Sequence, residues 1–231
     1  MKMKVDIWSD TRCPFCYIGK RKFEKALGQF PQKEMVEVEW HSFELDPGMK
    51  TQKEMNANDY LAKRKNISRE SSVNLHRQVT ETAKQVGLEY NFDTTVVANS
   101  FDAHRLIQLA KHYGLGDAAE ERLFKAYFTE GKDISDHLTL IILGDEIGLD
   151  AKLVKQMLDS DSMGDEVRYD EKQARELGIN GVPFFLINDK YAVSGAQPPE
   201  LFRQALEKGW EEYAKEHREE ENLTGNVAAF Q

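Results

Sequence analysis

Residues 10–17 read Asp-Thr-Arg-Cys-Pro-Phe-Cys-Tyr, and this run holds both cysteines of the 231-residue chain. Two residues separate Cys13 from Cys16, so the thiols can close a small disulfide or open to a dithiol with little backbone movement. Before the pair, apolar and polar residues alternate over residues 4–8, which predicts a β-strand. After it, Pro14 suits the first position of a helix, and apolar side chains recur at helical intervals. The run therefore predicts a junction between a strand and a helix.

The position of Cys13 at this junction gives its sulfur a chemical role. The free amide groups and the dipole of a helix N-terminus favour a negative charge, and the thiolate is the nucleophilic form of cysteine. We therefore predict that Cys13, on the exposed side of the junction, attacks a substrate disulfide. Cys16 lies one helical turn further on and is predicted to be more buried. It would resolve the mixed disulfide by attacking the sulfur of Cys13.

Composition excludes several classes of partner. The chain has 31 basic and 40 acidic residues and a formal charge of −9, which argues against nucleic acid and against an anionic membrane surface as partners. The basic run Lys20-Arg21-Lys22 is interpreted as a solvated helix face. We find neither an apolar run of signal-peptide length nor one that approaches the roughly 18 residues of a membrane span. A cytoplasmic protein is expected, and there a lone cysteine pair is more often catalytic or metal-binding than structural.

The remaining sequence predicts an α/β fold whose core is split in two. A second strand is predicted at residues 35–43, and strand character returns at 182–187 and 191–193 around a turn at 188–190. The final helix begins at Pro198-Pro199. Between the halves of the core, helices are predicted at 68–87, 99–114, 117–131, 136–148, 150–158 and 166–177. The helix at 136–148 is apolar on most faces, so we expect it at the centre of the helical bundle.

These elements define the predicted domain organisation. Residues 1–52 form the first part of the core, 53–177 an all-helical insertion, and 178–216 the second part of the core. The charged segment 217–231 is predicted to be a flexible tail, with a dimer clasp as the alternative.

A second motif, Gly181-Val182-Pro183-Phe184-Phe185, opens the third strand with a proline. Because proline cannot donate to a ladder, it is confined to strand starts, edges or bulges. A trans proline at a strand entrance is one interpretation. A cis bond at Val182–Pro183 is the other, and it would leave the backbone groups of Val182 free to bind an extended peptide or glutathione.

The cysteine pair, the helical insertion and the Gly-Val-Pro-Phe-Phe motif together resemble the DsbA-like branch of the thioredoxin superfamily, and its FrnE-type members in particular. The resemblance covers nearly the whole chain. It rests on the segments Cys13-Pro14-Phe15-Cys16, Phe43-Glu44-Leu45, Asn99 with Ala103-His104-Arg105-Leu106, Gly181-Val182-Pro183-Phe184-Phe185, and Ser194-Gly195-Ala196-Gln197.

The resemblance implies a thioredoxin-like core, a cis Pro183 facing the cysteines, and thiol–disulfide oxidoreduction. Pro14, Phe15, Val182 and Pro183 would bind the substrate. Partners would be protein or small-molecule disulfides and dithiols, without nucleic acid or membrane, and a homodimer stays open. No cofactor is expected, and glutathione is kept as a candidate co-substrate.

One departure from the family bears on redox direction. Periplasmic DsbA has a histidine between its cysteines, where this chain has Pro14-Phe15. That histidine stabilises the thiolate of DsbA, so its strong oxidising character should not be transferred. Within the superfamily range of roughly −270 to −120 mV we expect a potential in the reducing half, and a value above about −150 mV would contradict this expectation.

Several alternatives remain beside this hypothesis. The cysteines could form an inert packed dithiol, or supply two ligands to zinc, although the six histidines show no paired zinc-ribbon spacing. Kappa-class glutathione transferases and 2-hydroxychromene-2-carboxylate isomerases have the same insertion but typically carry serine at the position of Cys13. A glutathione-dependent transferase or isomerase is thus the alternative enzyme. A holdase that grips extended peptide is the non-enzymatic alternative.

Other polar residues are open to both a structural and a functional interpretation. His104 and Arg105 lie mid-helix, where core or boundary positions are the default, and contacts with substrate or glutathione are the functional alternative. His41 ends the second strand, with packing favoured over proton transfer. Asp6 and Asp10 could accept a proton from the second thiol, but Asp10 better suits a loop residue that caps the junction.

Overall fold

The structure is a computed structural model that describes the backbone of residues 2–228 and the side chains of residues 2–216. Within this part of the chain, a four-stranded sheet has the order β2–β1–β3–β4. The strands are β1 (Met3–Ser9), β2 (Val36–Ser42), β3 (Phe184–Ile187) and β4 (Tyr191–Ser194). β1 is parallel to β2 and antiparallel to β3, and β4 is antiparallel to β3. The two ends of the sequence therefore meet in one sheet, which confirms the thioredoxin-like α/β core.

Helices surround and interrupt this sheet. A helix α1 (Pro14–Gly28) follows β1, a short 3₁₀ turn (Lys33–Met35) precedes β2, and α9 (Pro199–Ala228) follows β4. Between β2 and β3 lie the helices of the insertion: α2 (Ala57–Lys65), α3 (Arg69–Lys84), α4 (Phe101–Lys111), α5 (Gly116–Phe128), α6 (His137–Glu146), α7 (Ala151–Leu158) and α8 (Gly164–Glu176).

Local sequence signals account for many of these boundaries. Ser68, Asp136 and Asp150 precede α3, α6 and α7, and each side chain accepts a hydrogen bond from a backbone N–H in the first turn. In the β3–β4 hairpin, Asn188 and Asp189 have φ of 51° and 55°. Two consecutive positive φ angles are typical of the tight turn that suits the twist of antiparallel strands. The predicted hairpin is thereby confirmed.

The sheet is covered on both faces. On one face, α1 and α9 pack against a core that includes Ile7, Phe185 and Phe202, all fully buried or nearly so. On the other face, Trp8 packs with Ala174 of α8 and donates its indole N–H to a backbone carbonyl of the same helix. A separate cluster joins the start of α1 to the helices of the insertion. The cysteines belong to that third cluster, so the active site would lie where core and insertion meet.

The prediction that the segment 136–148 is central to the bundle is wrong. In α6, Leu140, Leu143 and Gly144 are buried, but the side chains of Leu138 and Ile142 are 65% and 47% exposed. The helix packs on α4, α5 and α7 and leaves one side to solvent. Apolar composition alone therefore overstated its burial, because isolated apolar side chains are common on protein surfaces.

The interpretation of Lys20 as part of a solvated face is also wrong. Its side chain is 2% exposed and its ammonium group pairs with Glu24 and, at 2.9 Å, with Asp117 of α5. It also lies 5.6 Å from the centre of the Trp40 ring. Carboxylates from two helices thus surround the ammonium group, an arrangement that spacing within α1 does not reveal.

The C-terminal helix extends further than the sequence suggests. Residues 217–231 were predicted to be a flexible tail, but α9 continues to Ala228, and 229–231 lie outside the described residues. Glutamate, lysine and arginine are good helix formers, which explains the continued helix. The flexibility of the segment and its use as a dimer clasp stay predictions. In the described part of the chain, none of the helices has the length and apolar character to cross a membrane.

Candidate active site

The junction between β1 and α1 is organised by Asp10. Its carboxylate accepts one hydrogen bond from the Arg12 backbone N–H at 3.0 Å and another from the Leu45 backbone N–H at 2.8 Å. Its carbonyl accepts the Cys13 backbone N–H at 2.8 Å. Asp10 is therefore the loop residue that caps the junction, as the sequence favoured, and it ties this loop to the segment after β2.

Cys13 occupies the N-cap position of α1, directly before Pro14. This placement follows the sequence prediction, but the predicted exposure is wrong because only 5% of Cys13 is accessible. The loop after β2 and helices α2 and α3 of the insertion cover the junction. Cys13 instead lines a cavity of about 650 Å³ between these elements. Its sulfur is thus reached through a cavity rather than from an open surface.

The second motif lies against the first. The bond Val182–Pro183 is cis, in agreement with the resemblance. The Cys13 thiol donates to the carbonyl oxygen of Val182 at a distance of 3.6 Å. Cys13 and Val182 are 169 residues apart in sequence, yet the sulfur of one is in contact with the carbonyl oxygen of the other. The structure brings together Cys13, Cys16, Val182 and Pro183, and their roles in catalysis and substrate binding stay predictions.

Cys16 lies one turn into α1 and is completely buried. Burial raises the pKa of the Cys16 thiol well above its ordinary range, and the neighbouring Cys13 sulfur raises it further. The thiol of Cys16 therefore stays protonated at neutral pH while Cys13 lines the cavity. This asymmetry is what a nucleophile and a resolving cysteine require.

The two residues between the cysteines are placed differently. Phe15 is 45% exposed at the rim of the cavity, and Pro14 lines it. The carbonyl of Pro14 accepts a hydrogen bond at 2.7 Å from the hydroxyl of Tyr90, which belongs to the insertion. The insertion therefore helps to hold the start of α1 in place.

Gly19 of α1 provides a test of how closely α1 approaches the Val182–Pro183 segment. A Cβ atom at Gly19 would lie 2.9 Å from Cγ of Pro183 and 3.4 Å from the Phe185 ring. At Gly28, on the same helix, no atom would lie within 4 Å. Alanine should improve helix propensity at either site by up to about 1 kcal/mol, but overpacking costs about 1–3 kcal/mol.

We therefore predict effects of opposite sign from the same substitution. Gly19→Ala should lower the free energy of unfolding by about 1–2 kcal/mol, because Pro183 must move. Gly28→Ala should leave it unchanged or raise it by up to about 1 kcal/mol. Urea denaturation of the two variants checks this. Equal stability of Gly19→Ala and wild type would show that the contact with Pro183 is loose.

His104 is buried beneath the junction rather than in the cavity. It is 1% exposed, and its Nε2 lies 3.5 Å from a carboxylate oxygen of Asp10. Burial opposes the charge, but Asp10, with Glu120 and Glu44, raises the pKa of His104. His104 thus contacts the Asp10 carboxylate within the core, which fits the core position favoured from the sequence. The cavity lining does not include His104.

Arg105 is also placed away from the cavity. Its guanidinium group donates to the backbone carbonyls of Met157, Ser160 and Ser162 and to the carboxylate of Asp102. These contacts connect α4 to the last turn of α7 and to the segment that follows it. They fit the core or boundary position favoured from the sequence.

His41 and Asp6 lie on the sheet face that α8 covers, in a second cavity of about 1110 Å³ whose lining contains neither cysteine. The His41 ring hydrogen-bonds to Asp6 at 2.8 Å and to Asp170 at 3.0 Å. Burial disfavours its charge, but Asp170 and Asp6 outweigh it and raise the pKa of His41 to about 9. His41 is thus an imidazolium between two carboxylates, and neither His41 nor Asp6 is placed to exchange protons with the thiols.

Three groups in this second cavity could in principle hold a metal. Ligand atoms of Asp6, Glu39 and His41 lie within 4.8 Å of one another. Glu39 pairs with Lys111 at 2.9 Å, and the His41 nitrogens are already hydrogen-bonded. The candidate ligands are therefore satisfied by protein partners, and the cysteines are not among them.

The fold and the site define a thioredoxin-like protein with two thiols at the start of its first helix. Residues 4–207 match the DsbA-like thioredoxin domain family. The chain is 32% identical to the uncharacterized protein YwbO of Bacillus subtilis (strain 168) over 208 residues, covering 89% of this chain and 96% of YwbO. The chain belongs to the DsbA-like thioredoxin family.

Solved structures agree with this assignment. A probable DsbA oxidoreductase from Streptomyces coelicolor is 40% identical, with a TM-score of 0.85 and 91% of each chain covered. The cytosolic disulfide reductase DsbM from Pseudomonas aeruginosa, solved with GSH, has 20% identity and a TM-score of 0.63, covering 90% of this chain and 99% of DsbM. A 2-hydroxychromene-2-carboxylate isomerase has 16% identity and a TM-score of 0.64, covering 92% and 98%. The last two likenesses concern the fold alone.

Sequence reasoning missed two residues around the junction. Arg12 precedes Cys13 and lines the same cavity. Glu120 of α5 is fully buried, and burial raises its pKa to about 7. The position of Arg12 beside the predicted nucleophile was a usable signal. Glu120 gave none, since only the packing of the insertion brings it under the junction.

Proposed function

We propose that the protein is a thiol–disulfide oxidoreductase in which Cys13 is the nucleophile and Cys16 the resolving cysteine. One observation carries this proposal: the Cys13 sulfur lies 3.6 Å from the Val182 carbonyl oxygen and lines a cavity, while Cys16 is completely buried beside it. The Cys13 sulfur can thus contact a substrate, whereas the Cys16 sulfur can contact only Cys13. Membership of a DsbA-like oxidoreductase family supports the same chemistry.

The reaction balances without a cofactor. The thiolate of Cys13 attacks a substrate disulfide, forms a bond to one substrate sulfur and releases the other as a thiolate. The sulfur of Cys16, after losing its proton to solvent or to the released thiolate, attacks Cys13 and releases the second substrate thiol. The protein is left with a Cys13–Cys16 disulfide, and the substrate has gained two electrons and two protons. Run in reverse, the same steps oxidise a dithiol.

The substrate contacts follow from the same geometry. Phe15 would offer an apolar surface at the cavity rim, and Pro14, Val182 and Pro183 would flank the sulfur under attack. Substrates would be protein or small-molecule disulfides, with glutathione as a candidate co-substrate. The FrnE-type subgroup and a cytoplasmic location are part of the proposal, and a similar solved structure is a cytosolic disulfide reductase.

The direct test is the reduction of insulin by dithiothreitol, which is monitored through the turbidity that the released chains produce. The wild-type protein is expected to accelerate the reaction, because each turnover reduces one insulin disulfide and dithiothreitol then restores the dithiol. A variant with both Cys13 and Cys16 replaced by serine is the control and should give the uncatalysed rate. Equal rates for the two proteins would contradict the proposed function.

The same proteins separate the alternatives. Turnover of an aromatic isomerase substrate with glutathione by a Cys16→Ser variant would favour the glutathione-dependent enzyme. Suppression of aggregation by the double variant, together with no redox activity in the wild type, would favour a holdase.

A further inference from the structure

The cavity beside Cys13 has the size of a site for a small molecule. Its volume of about 650 Å³ falls within the roughly 300–1,000 Å³ that is usual for such sites. The start of α1, the loop after β2, helices α2 and α3 and the end of α5 enclose it. Cys13 lies in its wall, so a molecule bound here would meet the nucleophilic sulfur.

Arg12 is the most informative group in this wall. Its guanidinium carbon lies 5.4 Å from the centre of the Tyr60 ring. Its Nε and Nη1 atoms are buried and have no hydrogen-bond partner among the residues that the structure describes. Burial opposes the charge of this group, but Tyr127, the Asp10 carboxylate and Tyr60 together raise the pKa of Arg12, so the guanidinium group stays charged. Donors buried without partners are costly, and a guanidinium group matches a carboxylate in a two-pronged geometry.

The charges around the cavity favour an anion. Arg12, Arg64 and Lys65 line it, and Asp46 is the one carboxylate in the described lining. Asp46 already accepts from the Tyr60 hydroxyl at 3.0 Å and from Arg64. His76 adds no charge at neutral pH, since burial lowers its pKa to about 4. The Asp10 carboxylate outside the lining offsets part of the charge of Arg12, and Lys65 keeps the lining positive.

Apolar surface completes the arrangement. Phe15, Leu61 and Val79 line the same space. A ligand with a carboxylate, a sulfur and a short apolar or amide portion between them could contact Arg12, Cys13 and the apolar lining at the same time. An extended protein chain would instead reach Cys13 along the exposed Phe15, without needing the guanidinium group.

We propose that Arg12 is a specificity-determining residue that binds a carboxylate of a low-molecular-weight disulfide, and so presents its sulfur to Cys13. This inference rests on the proposed function. In the reaction, Cys13 bonds to one sulfur of the bound disulfide and the other leaves as a thiolate. Cys16 then displaces the first, which leaves the protein oxidised and the substrate reduced to two thiols.

The experiment compares an anionic with a neutral disulfide. Fully reduced protein is mixed with glutathione disulfide or with 2-hydroxyethyl disulfide, and oxidation of the Cys13–Cys16 pair is followed in a single turnover by quenching with an alkylating reagent. For Arg12→Gln, the second-order rate constant with glutathione disulfide is expected to fall about 10- to 100-fold, the usual worth of a charge-assisted hydrogen bond. The rate constant with the neutral disulfide should change less than about twofold. Arg12→Lys, which keeps the charge, should recover part of the loss.

Two controls make the result specific. Arg203→Gln removes an arginine of α9 that pairs with Glu207 outside the cavity, and it should leave both rate constants unchanged. Wild-type protein at increasing salt should slow with glutathione disulfide and not with the neutral one, because salt screens the attraction. The salt series needs no substitution, so it tests the attraction between the anionic disulfide and the positive charges of the cavity even if an Arg12 variant fails to fold.

Failure of this inference is distinguishable from failure of the proposed function. A wild-type protein that reacts with neither disulfide, nor with insulin, would overturn both. An Arg12→Gln variant that slows equally with both disulfides, or with neither, would overturn the role in substrate choice and leave the redox function intact. A loss of rate in Arg12→Gln that is confined to insulin reduction would also overturn the role of Arg12 in substrate choice.

Discussion

Cys16→Ser is expected to accumulate a covalent mixed disulfide through Cys13. The first attack needs only the Cys13 sulfur, which lines the cavity, so the bond to the substrate still forms. Resolution needs a second thiol within reach of Cys13, and the chain has only the two cysteines. After incubation with glutathione disulfide and alkylation, mass spectrometry should find one glutathione attached to Cys13.

Cys13→Ser should behave in the opposite way. A serine hydroxyl is a far weaker nucleophile at neutral pH, and the fully buried Cys16 cannot reach a substrate. We expect the rate of disulfide exchange to fall by about a thousandfold or more, and no mixed disulfide to form. A mixed disulfide at Cys16 in this variant would reverse the assigned roles. Equal trapping by both single variants would show that the pair is not asymmetric.

Local sequence signals determined the elements of the fold more reliably than their packing. Alternation over residues 4–8 predicted β1, and Ser68 marked the start of α3, because strands and helix caps depend on residues close in sequence. The exposure of α6 and the burial of Lys20 were not predictable in this way. Both depend on which neighbouring helices cover a face, and that is decided by contacts between distant segments.

The same distinction between local sequence signals and contacts of distant segments applies to the site. The helix N-terminus at Cys13 and the more buried position of Cys16 followed from their spacing. The closeness of Val182 to Cys13 did not, since 169 residues separate them, and it was anticipated only through family resemblance. The burial of Cys13 was missed because the covering helices α2 and α3 carry no signal of their orientation in their own sequences.

The unused donors of Arg12 illustrate what a structure adds to a motif. The sequence places a positive charge beside the nucleophile, which by itself could serve the thiolate, a salt bridge or solvent. The structure shows that Asp10 binds the backbone of Arg12 and that two side-chain nitrogens are buried without partners. The proposed binding role of Arg12 therefore comes from counting hydrogen-bond partners.

His41→Gln is expected to remove a pH-dependent part of the free energy of unfolding. The ordinary pKa of histidine is 6.5, whereas the carboxylates of Asp170 and Asp6 raise that of His41 to about 9 despite its burial. The folded state therefore binds the proton more tightly than the unfolded state. The resulting stabilisation is complete below about pH 6.5, declines as the pH rises and is lost above about pH 9. At about 1.4 kcal/mol for each tenfold difference in proton affinity, it amounts to about 3 kcal/mol.

Urea denaturation of wild type and variant between pH 6 and 9.5 measures this contribution. The wild type should be the more stable protein at pH 6, and the difference should shrink by about 2–3 kcal/mol toward pH 9.5, because the imidazole is then neutral in both states. Buried Glu120 and Cys16 also titrate, but they are common to both proteins and cancel in the difference. His112→Gln changes an exposed histidine at the rim of the same cavity and serves as the matched control. A constant gap between wild type and His41→Gln would mean that His41 stabilises the sheet by packing on Trp8, at 4.6 Å between ring centres, rather than by its charge.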